Sequence, residues 1–91
     1  HGGGIFGMIE GPRKQPELSE YFLTPHTLSA ANTALDYGMD YFSAENADQL
    51  EGLLKKFWEP SESARILEIM TRQETNQQVF DGLKQALSAL Q

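Results

Sequence analysis

The chain has 91 residues, room for one domain with a small core. Its formal net charge is −6, with 7 Lys and Arg against 13 Asp and Glu, which argues against nucleic acid and anionic membrane surfaces as partners, since both need cations. There is no cysteine, so disulfides and thiolate metal sites are excluded. No apolar run approaches the roughly 20 residues of a membrane helix, so no membrane insertion and a cytoplasmic location are expected.

The chain opens on His1-Gly2-Gly3-Gly4, followed at once by the apolar pair Ile5-Phe6. Three glycines strip the Cβ atoms from one stretch of main chain and let it approach a ligand closely. Gly7, Gly11, Pro12 and Pro16 then mark a loop, with Arg13-Lys14-Gln15 as a solvated stretch. Pro16 suits the first position of a short helix that places Leu18, Tyr21 and Phe22 on one side. Thr24, preceding Pro25, is expected to be extended.

Thr27 reads as an N-cap, Leu28, Ala31 and Leu35 as a helical stripe, and Gly38 as its left-handed end. Residues 39–43 read as a short strand. Asn46 with Gln49 forms a capping box for a second helix, whose stripe is Leu50, Leu53, Leu54 and Phe57. Residues 64–71 contain the strongest strand signal, Ile66, Leu67, Ile69 and Met70 around Glu68. A last helix begins within 71–76 and presents Val79, Leu83, Ala86, Leu87 and Leu90. Alternating strands and helices indicate an α/β fold, a three-layer parallel sheet with flanking helices. Two short strands make a poor sheet alone, so a third is expected before His1. The start at His1 rather than at methionine agrees with a piece of a longer protein.

The acidic clusters at 45–51 and 59–62 read as solvated faces. Phe57-Trp58 reads either as a docking patch or as a partly buried aromatic pair. His26, after a proline, reads as a structural histidine. His1 has metal-ligand chemistry, but no partner ligand stands near it in sequence.

Gly-Gly-Gly-Ile-Phe, then Tyr21-Phe22-Leu23-Thr24-Pro25-His26, then Asp36-Tyr37-Gly38-Met39-Asp40-Tyr41, Leu67-Glu68-Ile69-Met70-Thr71-Arg72 and Glu74-Thr75-Asn76 follow one another in order. This pattern resembles the C-terminal end of the menaquinone-pathway 2-succinyl-5-enolpyruvyl-6-hydroxy-3-cyclohexene-1-carboxylate synthases, which are thiamine diphosphate enzymes. The resemblance implies that residues 1–91 are the C-terminal portion of the diphosphate-binding domain of a larger protein. That protein would decarboxylate 2-oxoglutarate on thiamine diphosphate and add the succinyl carbanion equivalent to isochorismate, as a cytoplasmic homo-oligomer.

In the wider family a divalent metal, Mg2+, joins the diphosphate to the protein through an aspartate, an asparagine and a backbone carbonyl. The resemblance puts the asparagine just before His1, His1 on the variable position and the metal-facing carbonyl on Gly2. It implies cofactor binding by Gly2, Gly3 and Ile5, and a substrate-binding wall of Ile5, Phe6 and Ile9. The aspartate, the asparagine and the glutamate that activates the cofactor are not in this sequence. One carbonyl does not hold magnesium against water. The chain alone is therefore expected to bind cofactor weakly and to catalyse nothing, and no catalytic residue is assigned to it.

Residues 10–22 suit either a lid that orders over substrate or a plain surface loop. Two rival readings remain at this level. One is another thiamine diphosphate decarboxylase or carboligase, such as an acetolactate synthase. The other is a non-catalytic acidic α/β module that binds a partner through Phe57, Trp58 and the last helix, with the glycines as a linker.

Overall fold

The computed structural model describes residues 2–91; the sequence expectations placed on His1 lie outside the described residues. The chain divides into two compact units, residues 27–70 and residues 2–26 with 71–91.

The first unit is a helix followed by a β-α-β crossover: α1 (Ala31–Asp36), β1 (Asp40–Ala44), α2 (Ala47–Phe57) and β2 (Arg65–Ile69). β1 and β2 pair in parallel, from Asp40 opposite Arg65 to Ala44 opposite Ile69. Parallel neighbours need a long crossover, and α2 provides it. The fold is thus α/β, and among the described residues the sheet has two strands. Ala34 and Ala44 are completely buried.

Caps define these elements closely. Asn46 is extended and accepts the Gln49 amide at 2.9 Å, as its sequence position predicts. The reciprocal bond is displaced by one residue: Gln49 Oε1 accepts the amide of Glu45, not that of Asn46. The far end of α2 is closed from a distance. Arg65 Nη1, at the start of β2, donates to the carbonyls of Lys56, Phe57 and Glu59. Lys56 and Phe57 end the helix, so their carbonyls lack partners within it, and Glu59 lies two residues beyond.

α1 departs from expectation at its start. It begins at Ala31, and Thr27 does not cap it. Glu68 of β2 accepts the Ala30 amide with both carboxylate oxygens at 3.2 Å, and Ser29 Oγ accepts the Ala31 amide at 3.2 Å. A carboxylate from a neighbouring strand replaces the local cap. The predicted end holds: Met39 donates to Ala34 and Gly38 to Leu35, with Gly38 at φ +64, a Schellman closure.

The second unit contains 3₁₀ turns at Ile5–Gly7 and Pro12–Lys14, a π-helical turn at Leu18–Phe22, and α3 (Gln73–Ser88). The stretch expected as loop therefore carries local helical hydrogen bonds. Among its ties to α3 is Arg13, whose Nη1 and Nη2 donate to the two oxygens of Asp81 at 2.9 and 2.8 Å. Two parallel N–H···O bonds fix direction as well as distance. No helix among the described residues is long and apolar enough to cross a membrane.

Candidate functional site: the glycine turn

Gly3 adopts φ +89, a conformation that disfavours every residue with a Cβ. Its carbonyl accepts the Thr24 amide at 2.9 Å. The Thr24 carbonyl itself occupies the space that a Gly3 side chain would need. The same holds one residue earlier: a Cβ on Gly2 would meet the ring of His26, with Cε1 at 2.6 Å and Cδ2 at 2.8 Å. On Gly4 it would meet Gln73 of α3, with Cγ at 2.6 Å and Cδ at 2.9 Å. The three glycines are thus a packed turn between Thr24-Pro25-His26 and α3. This corrects the linker reading, because a linker makes no such contacts.

The carbonyls of the turn have distinct fates. That of Gly3 accepts from Thr24, that of Gly4 from Gly7 at 3.0 Å, and that of Ile5 from Met8 at 2.9 Å. Among the described residues no backbone amide donates to the carbonyl of Gly2, an exposed residue. Beside it lies a pocket of about 270 Å³ lined by Gly2, Gly3, Gly4, Ile5, Met8, Gln73 and Asn76. This is below the range of sites that enclose a whole drug-sized ligand, and suits one end of a ligand. Gln73 and Asn76 carry no signal in the sequence as site residues. They reach the pocket because the start of α3 packs on Gly4 and Gly7.

Ile5, Phe6 and Ile9 expose 64%, 40% and 42% of their surfaces. Only Ile5 of the three lines the pocket. Phe6 meets Phe22 edge to face, with ring centroids 5.8 Å apart. The predicted wall residues therefore lie on one 3₁₀ turn and the residues just after it, and the aromatic one is backed by the segment once considered as a lid.

A larger groove, about 600 Å³, runs along α2, with Glu45, Asp48 and Lys56 in its wall, two carboxylates against one ammonium. Among the described residues no cluster of three or more His, Asp or Glu side chains is arranged to hold a metal.

Three charged groups elsewhere have shifted pKa values. Glu68 sits below the ordinary glutamate pKa because the Tyr41 hydroxyl donates to it, followed by the Ser29 hydroxyl at 2.8 Å and the Ala30 amide; partial burial opposes them. Asp81 is lowered, and Arg13 raised, chiefly by their mutual hydrogen bonds. Glu68 serves the sheet and α1; Arg13 and Asp81 join residues 10–22 to α3.

The chain matches no family model and no solved structure. It is similar to curated 2-succinyl-5-enolpyruvyl-6-hydroxy-3-cyclohexene-1-carboxylate synthases. That of Cytophaga hutchinsonii is 44% identical over 87 residues, covering 96% of this chain and 16% of the relative. That of Christiangramia forsetii is 32% identical over 80 residues, covering 88% and 14%. That of Roseiflexus castenholzii is 31% identical over 88 residues, covering 97% and 15%. The chain thus spans only about one sixth of the length of the curated relatives it matches. The family resemblance expected from the sequence is shown by these relatives.

Proposed function

We propose that this chain, which matches one stretch of the 2-succinyl-5-enolpyruvyl-6-hydroxy-3-cyclohexene-1-carboxylate synthases, is the C-terminal portion of the diphosphate-binding domain of such an enzyme. The observation that carries the reading is the match over 96% of the chain to a relative of that name, 44% identical. The complete protein would take 2-oxoglutarate and isochorismate as substrates and serve menaquinone biosynthesis. It would be a cytoplasmic homo-oligomer whose three-layer sheet extends β1 and β2 with further strands.

The turn fits one share of a site for thiamine diphosphate and Mg2+. The Gly2 carbonyl is a hard oxygen donor without a backbone partner among the described residues, and magnesium selects such donors. Gly3 offers main chain at the pocket with no side chain to obstruct a diphosphate, and Ile5 offers an apolar edge to the rest of the cofactor. When bound, thiamine diphosphate would supply the carbon that takes up a 2-oxo acid and accepts the electrons left by loss of CO2.

Ile5, Phe6 and Ile9 would exclude water from the reacting end and from the substrates. Phe22, edge-on to Phe6, would hold the aromatic part of that wall. The remaining metal ligands and the group that activates the cofactor would come from residues outside this chain, so residues 1–91 alone are expected to be inactive.

The test is a substrate screen of the complete protein with magnesium and thiamine diphosphate. CO2 release from 2-oxoglutarate, coupled to loss of isochorismate, is expected. Turnover of pyruvate in place of 2-oxoglutarate would favour the acetolactate-synthase type of chemistry. Turnover of neither would favour a non-catalytic module.

A further inference from the structure

Deepening the proposed function, on which the inference rests, we propose that His26 is a positioning residue that fixes the Gly2 carbonyl in the direction of the metal. Residues 24–26 meet the glycine turn twice. Thr24 locks Gly3 through its amide and its carbonyl, and the His26 imidazole covers the Cα of Gly2 at the point where a side chain would project. His26 does not line the pocket that Gly2, Gly3 and Gly4 line. The ring therefore stands behind Gly2 and outside the lining of that pocket.

The physical need is plain. A glycine in an exposed turn has wide freedom in φ and ψ, so its carbonyl swings. A carbonyl that must point at a cation loses that freedom on binding, which costs conformational entropy. A flat ring packed on the Cα removes the freedom beforehand, and preorganisation of this kind raises affinity without a new contact to the ligand. Groups that orient a metal ligand typically change metal affinity about 10–100-fold when removed. On this account the Thr-Pro-His motif and the glycine run form one device. Pro25 disfavours a helical Thr24, which suits residues 24 and 26 both facing the turn.

The experiment uses the complete protein and reads magnesium-dependent binding of thiamine diphosphate by calorimetry, with thermal unfolding of the metal-free protein alongside. His26→Ala is expected to weaken binding about tenfold. His26→Phe, which keeps a flat ring, is expected to retain most of the affinity. Gly2→Ala is expected to lose binding in the parent and to recover part of it in the Gly2→Ala/His26→Ala double variant, where the added methyl no longer meets the ring. Parent-like binding by His26→Ala would overturn the inference. So would a His26→Phe variant as weak as His26→Ala, or a Gly2→Ala loss of equal size in both backgrounds. Absence of magnesium-dependent binding in the parent protein would instead defeat the thiamine diphosphate reading, and the inference with it.

Discussion

Between Asp40 and Ile69, side chains finish what the backbone ladder begins. Asn46 supplies the acceptor that the first turn of α2 lacks, Arg65 supplies donors for its last turn, and Glu68 supplies acceptors for the start of α1. Between Gly2 and Gly4 the lack of side chains makes the structure. Three missing Cβ atoms leave room for the ring of His26, the carbonyl of Thr24 and the side chain of Gln73. The first region tolerates change wherever another polar group can substitute. The second is least tolerant at Gly3, where main chain fills the space and φ is positive; at Gly2 and Gly4 the obstacles are the side chains of His26 and Gln73. A glycine run next to a candidate ligand site thus has two independent reasons to be glycine, internal packing and approach of a ligand, and a substitution that abolishes activity does not by itself tell them apart.

The sharpest way to break this contrast is Gly3→Ala in the complete protein. The new Cβ would combine a left-handed backbone with a clash against a main-chain carbonyl. A loss of more than about 3 kcal/mol in local stability is expected, read as faster hydrogen exchange across residues 2–26. A near-neutral result would mean that the turn relaxes and is not packed as described. Arg65→Met comes next. It removes a charged donor from the carbonyls of Lys56 and Phe57 at the helix end and of Glu59 just beyond it, keeps most of the apolar stem, and should cost about 2 kcal/mol in the protection of α2 and β2.

Asn46→Ala should cost about 1 kcal/mol, confined to the first turn of α2, whereas Asn46→Ser should be nearly silent. The smallest effect at neutral pH is that of Glu68→Gln, and its signature is a pH dependence. Glu68 has a lowered pKa in the folded protein, so the unfolded chain binds its proton first as pH falls. Its contribution is complete above the ordinary glutamate value of 4.5 and is lost as pH falls through the folded value. The acid limb of local stability for residues 27–70 should therefore flatten in Glu68→Gln. An unchanged acid limb would remove Glu68 from the account.

Legibility in the sequence follows the same division. β1 and β2 lie within one or two residues of the expected strands, and α2 begins on the expected cap, because period and capping are local signals. α1 starts late because its cap comes from Glu68, thirty-eight residues from Ala30, and no local pattern announces that. The Arg13–Asp81 pair spans sixty-eight positions and was equally hidden. In the turn, the bare main chain of Gly2-Gly3-Gly4 and the apolar step at Ile5-Phe6 were visible. What fills the missing side chains was not, since Thr24, His26 and Gln73 come from distant positions. The importance of Thr-Pro-His was legible as a motif, and its reason only as a contact.

The account turns most directly on a crystal structure of the complete protein with thiamine diphosphate and magnesium. It predicts the Gly2 carbonyl oxygen among the six ligands of the metal, at about 2.0–2.1 Å, with the His26 ring behind it. A Gly2 carbonyl turned away from a metal held entirely by other groups would contradict it.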